Sequence, residues 1–339
     1  MKARSLISVV IALCLVAAAS FAVVSCGGDG GGNDWLMPVL PPVEPPQNPG
    51  ALGADIPEMR SPVRLDRAPD GNIIVSDFST RAVYYLDPST LERVGAFRVP
   101  EKPGGIAISG ETVYVANGYT GNVQAFSYTT GALLYNLGQG TQNLVPRPAD
   151  MALDDTPGVG KLFVVSQGVK RVEVFALDGS YVGEFPAAGA PSAELLLNPT
   201  GIVLDKSGQK VYVSDFGKGT AFAAPVAKIQ VYSYAGVYLG SISGNSTSLA
   251  AEYQFSCPQG MALTSGGNLI VVDSLLGKAL ILDISTLSMP VGVKSVGTLG
   301  RGVGELMLPL DVLLDYASGD LYITNNQRGT VSLFAGGAL

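Results

Sequence analysis

A six-fold internal repeat is the feature that most limits what this chain can fold into. Six segments open with a proline followed by a short apolar run, and these prolines are Pro62, Pro103, Pro148, Pro199, Pro258 and Pro309. They lie 41 to 59 residues apart, the length of one β-propeller blade with loop insertions. Such a period indicates that each unit buries its apolar surfaces against its neighbours rather than alone.

Each repeat unit contains several short β-rich segments. In the fourth unit the opening segment NPTGIVLD is followed by KVYVSD, which ends in an acidic residue, and then by KIQVYS. The first five units continue to a fourth segment, such as YVGEF from Tyr181. No part of the body shows the 3.6-residue apolar period of an amphipathic helix. The sequence therefore predicts an all-β, six-bladed β-propeller with four-stranded blades over residues 51–339.

The repeat resembles the NHL family pattern of a glycine-spaced loop, a proline and an apolar strand that ends in Asp. The clearest example is GTLGRGVGELMLPLDVLLD from Gly297, and the resemblance covers roughly residues 61–334. It implies that the first strand of each blade lines a central channel. The sixth unit departs from the pattern, because its outer segment is missing after TVSLF. We expect an N-terminal segment, either residues 35–37 or part of residues 51–59, to supply that strand and cover the open edge.

The first 25 residues have the layout of a secretory signal, with Lys2 and Arg4 before a long apolar run. The run ends in VVSC, which resembles the lipobox of bacterial lipoproteins, where the cysteine is lipidated and becomes the new N-terminus. The resemblance implies that Cys26 carries acyl chains such as palmitate, which together anchor a protein firmly. The alternative is a signal-anchor helix, because the run is near the length that spans a bilayer.

Residues 26–50 read as a lipidated tether between the anchor and the body. The segment GGDGGG directly after Cys26 is flexible in composition, and the Pro-rich segment from Met37 to Gly50 predicts a semi-rigid spacer. In the lipoprotein sorting rule of enteric bacteria, Gly27 rather than Asp after the cysteine favours the outer membrane. We therefore expect a lipid-anchored protein of the bacterial cell envelope, attached to the membrane through its lipid.

Composition excludes several kinds of chemistry. The chain has no histidine, which rules out His-dependent catalytic triads, His-ligated zinc or haem, and imidazole acid–base catalysis. Its net charge of −7 argues against nucleic acid as a partner through the overall field of the protein. If Cys14 leaves with the signal and Cys26 is lipidated, Cys257 remains alone, so we expect no disulfide framework.

Two sets of polar residues recur in the units and raise the question of a metal site. The second segments end in Asp77, Asn117, Ser166, Asp215, Asp273 and Asn325, and the opening segments end in Asp66, Ser109, Asp154, Asp205, Thr264 and Asp315. Oxygen ligands of this kind suit calcium. Because such side chains also cap turns by hydrogen-bonding to local backbone, and because both sets recur from unit to unit, we interpret them as structural.

Enzymes that resemble this architecture place their functional residues asymmetrically. Gluconolactonase-like hydrolases hold a channel calcium with Glu, Asn and Asp on non-equivalent blades, and antibiotic-cleaving lyases of similar shape use histidines. The repeat shows no such asymmetric cluster, so we expect no catalytic residue, no metal and no cofactor.

The long loops predict where binding occurs. In a propeller, the turns between strands two and three and the inter-blade loops open on one face, here called the long-loop face. Residues 138–147, 186–198 and 244–257 and the insertion from Gly217 fall on it. Long loops on one face of a repeat array often mark its binding side. Candidate partner-binding residues there are Tyr119, Arg147, Lys218, Phe222, Tyr253, Phe255, Arg301 and Arg328, with Phe222 and Tyr253 as exposed anchors.

These patterns favour a non-catalytic scaffold that binds another envelope protein through the long-loop face. Two alternatives stay open: a propeller that binds a small ligand or glycan at the channel mouth, and a calcium-dependent hydrolase of the gluconolactonase type. The other interpretation of the candidate side chains is that several of them only pack the loops against the body.

Overall fold

The computed structural model describes residues 56–118, 121–137, 145–217 and 227–336, and these form a six-bladed β-propeller. The predicted fold class is therefore confirmed. The lipobox at Cys26 and the tether lie outside the described residues, as do residues 35–37. Within the described ranges, no helix is long and apolar enough to span a bilayer.

Five blades are four-stranded antiparallel meanders whose strands run in chain order from the channel outward. Blade 1 contains β1 Pro62–Arg67, β2 Ile73–Asp77, β3 Ala82–Leu86 and β4 Arg93–Arg98. Blade 2 contains β5 Pro103–Ser109, β6 Thr112–Asn117, β7 Asn122–Ser127 and β8 Leu133–Asn136. Blade 3 contains β9 Pro148–Asp154, β10 Lys161–Ser166, β11 Arg171–Ala176 and β12 Tyr181–Phe185.

The second half of the chain continues the same arrangement. Blade 4 contains β13 Pro199–Asp205, β14 Lys210–Asp215, β15 Lys228–Ser233 and β16 Tyr238–Ser243. Blade 5 contains β17 Pro258–Leu263, β18 Leu269–Asp273, β19 Lys278–Asp283 and β20 Val291–Val296. A short parallel pair, β21 Thr298–Leu299 and β22 Glu305–Leu306, precedes blade 6, which contains β23 Pro309–Leu314, β24 Leu321–Asn325 and β25 Thr330–Phe334. The described helices are two single 3₁₀ turns, Ala251–Tyr253 and Asn326–Arg328.

The core lies between neighbouring blades rather than in one central mass. Between blades 1 and 2, for example, Ile74 and Phe97 pack with Val115 and Phe126. The second and third strands are buried on both faces, which explains why they read as nearly continuous apolar runs. Outer strands such as β12 are largely exposed and carry mixed polar and apolar residues.

Blade 6 has three strands among the described residues, so the predicted missing outer strand is indeed absent from that part of the chain. The segment from Ile56 to Arg60 does not replace it, because it is not a strand. Ile56 is buried between Tyr322 of blade 6 and Tyr84 of blade 1. Tyr84 Oη donates to the carbonyl of Pro57 at 2.6 Å. This segment therefore occupies the junction between blades 6 and 1, where other blades have an inter-blade loop.

Candidate functional site

The acidic residues at the ends of the second strands hold the inter-blade loops in place. Asp77 Oδ2 accepts the backbone N–H groups of Arg60 and Ser61 at 2.7 and 2.6 Å. Asp215 accepts those of Leu197 and Asn198 at 2.6 and 2.9 Å. All of these carboxylates lie at the same place in their blades and are fully buried. Each one links its own blade to the segment that leads into that blade.

Asp273 shows the pattern in full. Its Oδ2 accepts the backbone N–H groups of Ser256 and Cys257 at 2.7 and 2.9 Å. Its Oδ1 accepts those of Leu275 and Leu276, both at 2.9 Å. Four charge-assisted hydrogen bonds on one buried carboxylate fix the loop and the turn together. The structural interpretation is confirmed for Asp77, Asp215 and Asp273, whereas Asn117 bonds to the side chains of Asn122 and Gln124 and not to backbone.

The centre of the channel contains a buried guanidinium that joins four blades. Arg64, on β1, is 1% exposed, and its Nε lies 3.0 Å from Asp150 Oδ1 on β9. Its two terminal nitrogens donate to the backbone carbonyls of Leu310 on β23 and Thr200 on β13. One side chain of blade 1 therefore bonds to blades 3, 4 and 6 across the axis. This network closes the channel at that level and fastens the ring from inside.

Carboxylates around Arg64 complete the backbone hydrogen bonding of the inner strands. Asp150 Oδ2 accepts the N–H of Ile202 at 3.1 Å, and Asp311 Oδ2 accepts the N–H of Leu65 at 3.0 Å. Each therefore bonds to the inner strand of the next blade. Burial raises the pKa of Asp150, opposed by the charge of Arg64. Burial, together with the negative charge of Asp150, raises the pKa of Asp311 to about 8.

Asp66 belongs to the same channel wall, which corrects the sequence interpretation. The pairing of β1 places Asp66 opposite Ile74, the position that Leu313 occupies opposite Tyr322 in blade 6. Asp66 is thus two residues out of register with the set of strand-end turn formers to which we assigned it. Its Oδ2 accepts the N–H of Ile108 at 3.0 Å, and burial raises its pKa to about 6.

The position two residues after each opening proline differs from blade to blade, a break in symmetry that the sequence prediction overlooked. The second residue after each opening proline is Arg64, Gly105, Asp150, Gly201, Gly260 and Asp311. The charged side chains need the glycines, because a Cβ on Gly105 or Gly260 would collide with the strand or carboxyl of the next blade. The sequence shows this difference between blades when residues are compared at a fixed distance from the opening prolines. A comparison of the residues at the strand ends does not show it.

The channel carboxylates are engaged by hydrogen bonds and an ion pair within the protein. No group of three or more Cys, Asp or Glu side chains that could hold a metal ion exists within the described residues. The oxygens of Asp66 and Asp150 already accept backbone N–H groups, and Asp150 is paired with Arg64. The arrangement is suited to structural closure and to holding a polar ligand, rather than to binding a hard cation.

A cavity of about 280 Å³ lies in the channel, on the side opposite the long-loop face. Its walls are aliphatic side chains of the inner strands, such as Ile106, Met151 and Val312, and Asp66, Asp150 and Asp311 add polar atoms. Residues of the turns that follow the inner strands also line it. Asp155 and Lys206 form an ion pair at 3.3 Å, and the ring of Tyr316 is 70% exposed.

The structure separates the predicted partner-binding residues into three groups. Tyr119, Lys218 and Phe222 lie outside the described residues. Phe255 is 4% exposed and packs in the core between blades 4 and 5. Phe255 is therefore a packing residue of the loop and offers little surface to a partner. Among the described candidates, Arg301 and Arg328 are exposed and Arg147 is half-buried.

Tyr253 is not the freely exposed anchor that we expected. Its ring packs directly on the backbone of Gly292 in β20, where the lack of a side chain makes room for it. It also contacts the core that contains Phe255. Tyr253 is half-buried, and its contact with Gly292 holds the loop against blade 5. A role of the set in partner binding stays a prediction.

Comparison with known proteins supports the fold and goes no further. No family model matches the chain, and no curated protein matches it in sequence. Among solved structures, Kuenenia stuttgartiensis hydrazine synthase is similar with a TM-score of 0.59 at 13% identity, over 85% of this chain and 99% of that chain. A Bacteroides thetaiotaomicron protein of unknown function has a TM-score of 0.61 at 16% identity, over 82% of this chain and 70% of that chain.

Virginiamycin B lyase from Staphylococcus aureus is also similar, with a TM-score of 0.52 at 10% identity over 81% of this chain and 84% of that chain. At such identities the likeness shows a shared propeller architecture. Different activities occur on one fold, so the function has to be argued from the residues of this chain.

Proposed function

We propose that this chain is a lipid-anchored, NHL-type propeller of the bacterial envelope that binds another protein through its long-loop face and has no catalytic activity. The observation that carries the proposal is the set of buried carboxylates, Asp77, Asp215 and Asp273, each of which fixes an inter-blade segment on that face. Loops that are held in this way present a preorganised surface, which lowers the entropic cost of binding.

The hydrogen bonds and the ion pair of the channel residues favour a binding role over a catalytic one. Arg64 and Asp150 neutralise each other, and Asp66, Asp150 and Asp311 accept backbone N–H groups of neighbouring strands. Groups used in this way support the ring. A general acid or base needs to reach a substrate proton, and the chain has no histidine for that task.

Membrane attachment through Cys26 completes the proposal. The described body begins at Ile56, so 29 residues separate it from the proposed lipid. A segment of this length spans up to roughly 100 Å when extended, which lets the propeller reach a partner away from the bilayer surface. Metabolic labelling with a fatty acid, compared between the wild type and Cys26→Ala, tests the anchor.

Partner capture from native envelope tests the scaffold function. The test variant is Lys218→Ala/Phe222→Ala, in the insertion that the sequence assigns to the long-loop face. The matched control is Lys206→Ala/Tyr316→Ala, which removes the same kinds of side chain on the opposite face. We expect cross-linking and mass spectrometry to identify a partner that the test variant loses and the control retains. Loss in the control alone, or equal capture by all three proteins, would contradict the proposal.

The channel cavity favours one second candidate, the binding of a small ligand. Its aliphatic wall with Asp66 and Asp311 suits a small organic cation, because an ammonium group would favour the ionised form of these carboxyls. Calorimetric titration with a panel of small amines and sugars tests it. Binding that Asp66→Asn weakens and Lys218→Ala/Phe222→Ala leaves unchanged would support this candidate, and the absence of binding across the panel would remove it.

A further inference from the structure

Four arginines gather on the long-loop face at the junction between blades 6 and 1, and we call them the junction arginines: Arg60, Arg81, Arg301 and Arg328. The turn that carries Arg328 touches the backbone of Arg60, since a Cβ on Gly329 would lie 3.2 Å from the Cα of Arg60. Arg328 donates to the carbonyl of Gly302 at 2.9 Å, beside Arg301. Asp77 connects Arg60 with Arg81. Its carboxylate accepts the backbone N–H of Arg60, and its backbone carbonyl accepts the backbone N–H of Arg81.

The junction arginines have no carboxylate partner among the described residues. None of them forms an ion pair, and the four ion pairs found in that part of the chain involve other residues. Arg60, Arg301 and Arg328 are exposed, and Arg81 is half-buried. The nearest acidic side chain in the same loop, Glu305, accepts the N–H of Gly302 at 2.5 Å and shapes the loop itself. In a chain with a net charge of −7, this places four arginines at one junction, against Glu305 and Glu58 as the acidic side chains of the same two segments.

Aliphatic surface accompanies the positive charge. Val303, two residues after Arg301, is fully exposed, and Leu299 is 51% exposed. Exposed apolar side chains beside guanidinium groups that have no carboxylate partner suit a protein that offers both carboxylates and aliphatic residues. Guanidinium groups bind carboxylates through two parallel hydrogen bonds, which gives geometric selectivity in addition to attraction.

We propose that the junction arginines are the docking site for an acidic segment of a protein that contains aliphatic residues. The inference deepens the proposed scaffold function and rests on it, since it names the chemistry of the partner on the same face. A nucleic acid fits less well because the overall field of the chain repels a long polyanion. An anionic lipid surface is the competing ligand, and binding to phospholipid vesicles distinguishes it from an acidic protein segment.

A binding titration with a defined probe tests the inference. The probe is a fluorescent peptide of alternating acidic residues and leucines, and the reference peptide has Gln and Asn in place of Glu and Asp. The test variant is Arg301→Glu/Arg328→Glu. The matched control is Lys161→Glu/Lys210→Glu, which changes the net charge by the same amount on the opposite face. Circular dichroism verifies that each variant is folded.

We expect the wild type to prefer the acidic peptide and to lose affinity as salt rises. The test variant should weaken binding by about tenfold or more, and the control by less than about twofold. Arg301→Lys/Arg328→Lys should lie between them, because lysine keeps the charge and loses the forked donor geometry. Equal weakening in test variant and control, or equally tight binding to anionic phospholipid vesicles or to a single-stranded oligonucleotide, would overturn the inference.

The capture experiment separates this inference from the proposed function. A partner that Lys218→Ala/Phe222→Ala loses but Arg301→Glu/Arg328→Glu retains would overturn the role of the junction arginines and leave the scaffold function in place. Selective binding of the acidic peptide, with no partner captured through the long-loop face, would support the chemistry of the site and count against the scaffold function.

Discussion

Replacing Arg64 with methionine should destabilise the propeller by about 3–5 kcal/mol, because it breaks a buried ion pair and leaves one charge behind. The side chain is 1% exposed, and Asp150, its partner at 3.0 Å, is 5% exposed. The substitution also removes the donors to the carbonyls of Leu310 and Thr200. The loss is a large share of the 5–15 kcal/mol by which domains are typically stable.

The matched control is Arg67→Met, three residues further along β1. Arg67 forms an ion pair with Asp315 at 2.7 Å, but its side chain is 28% exposed. Solvent screens such a pair, so this substitution should cost less than about 1 kcal/mol. Both arginines contact blade 6, so the comparison isolates the effect of burial in the channel.

A double-mutant cycle with Asp150→Asn tests whether the ion pair is the cause. Each single change leaves one buried charge without its partner, whereas Arg64→Met/Asp150→Asn leaves none. The double variant should therefore cost less than the sum of the singles, by about 1–3 kcal/mol. The assay is urea unfolding of the mature chain with Cys26→Ser, followed by circular dichroism. A cost of Arg64→Met within about 1 kcal/mol of that of Arg67→Met, or additive costs in the cycle, would refute the reasoning.

Three further predictions follow from burial and hydrogen bonding. Phe255→Ala should lower the free energy of unfolding by about 3–5 kcal/mol in urea denaturation, because it leaves a cavity in the core between blades 4 and 5. Asp273→Ala should make residues 244–257 sensitive to limited proteolysis, because four backbone N–H groups lose their acceptor. Asp311→Asn should reduce the loss of stability between about pH 4 and pH 8, measured as the free energy of unfolding across that range.

The sign of the pH effect follows from the direction of the shift. The pKa of Asp311 is raised in the folded protein, so the folded state binds its proton more tightly than the unfolded chain does. The resulting stabilisation is complete below the unfolded pKa of about 3.9 and is lost as pH rises through about 8. Asp66 contributes in the same direction, with loss centred near pH 6. An unchanged pH profile in Asp311→Asn would contradict the burial of an ionisable carboxyl at this site.

Each of the other two predictions has a control at a position outside the core. Asp283→Ala removes a carboxylate that accepts the N–H of Ser285 in an exposed turn, so proteolysis of the 244–257 loop should not change. Equal sensitivity in Asp283→Ala and Asp273→Ala would refute the fastening role of Asp273. Tyr316→Ala, at a ring that is 70% exposed, should cost less than about 1 kcal/mol. If Phe255→Ala lowers the free energy of unfolding by a similarly small amount, Phe255 is not a core residue.

The sequence determined the blades because their causes are local and repeat. The opening prolines, the short apolar strands and the polar residue at the end of each second strand recur in every unit, so a single unit already indicates its own hydrogen bonding. The turn-capping role of Asp77 and Asp273 was predictable for that reason. The three strands of blade 6 among the described residues agree with the shorter sixth repeat in the sequence.

The tertiary structure alone decided what happens where blades meet. Arg64 bonds to the carbonyl of a residue 246 positions away, and no local pattern marks that pairing. The register of β1 moved Asp66 from a turn into the channel wall, and the packing of the 244–257 loop buried Phe255 in the core. The junction arginines likewise come from the first and last blades. Closing a ring brings the first and last blades together, and contacts between them depend on how every intervening blade packs.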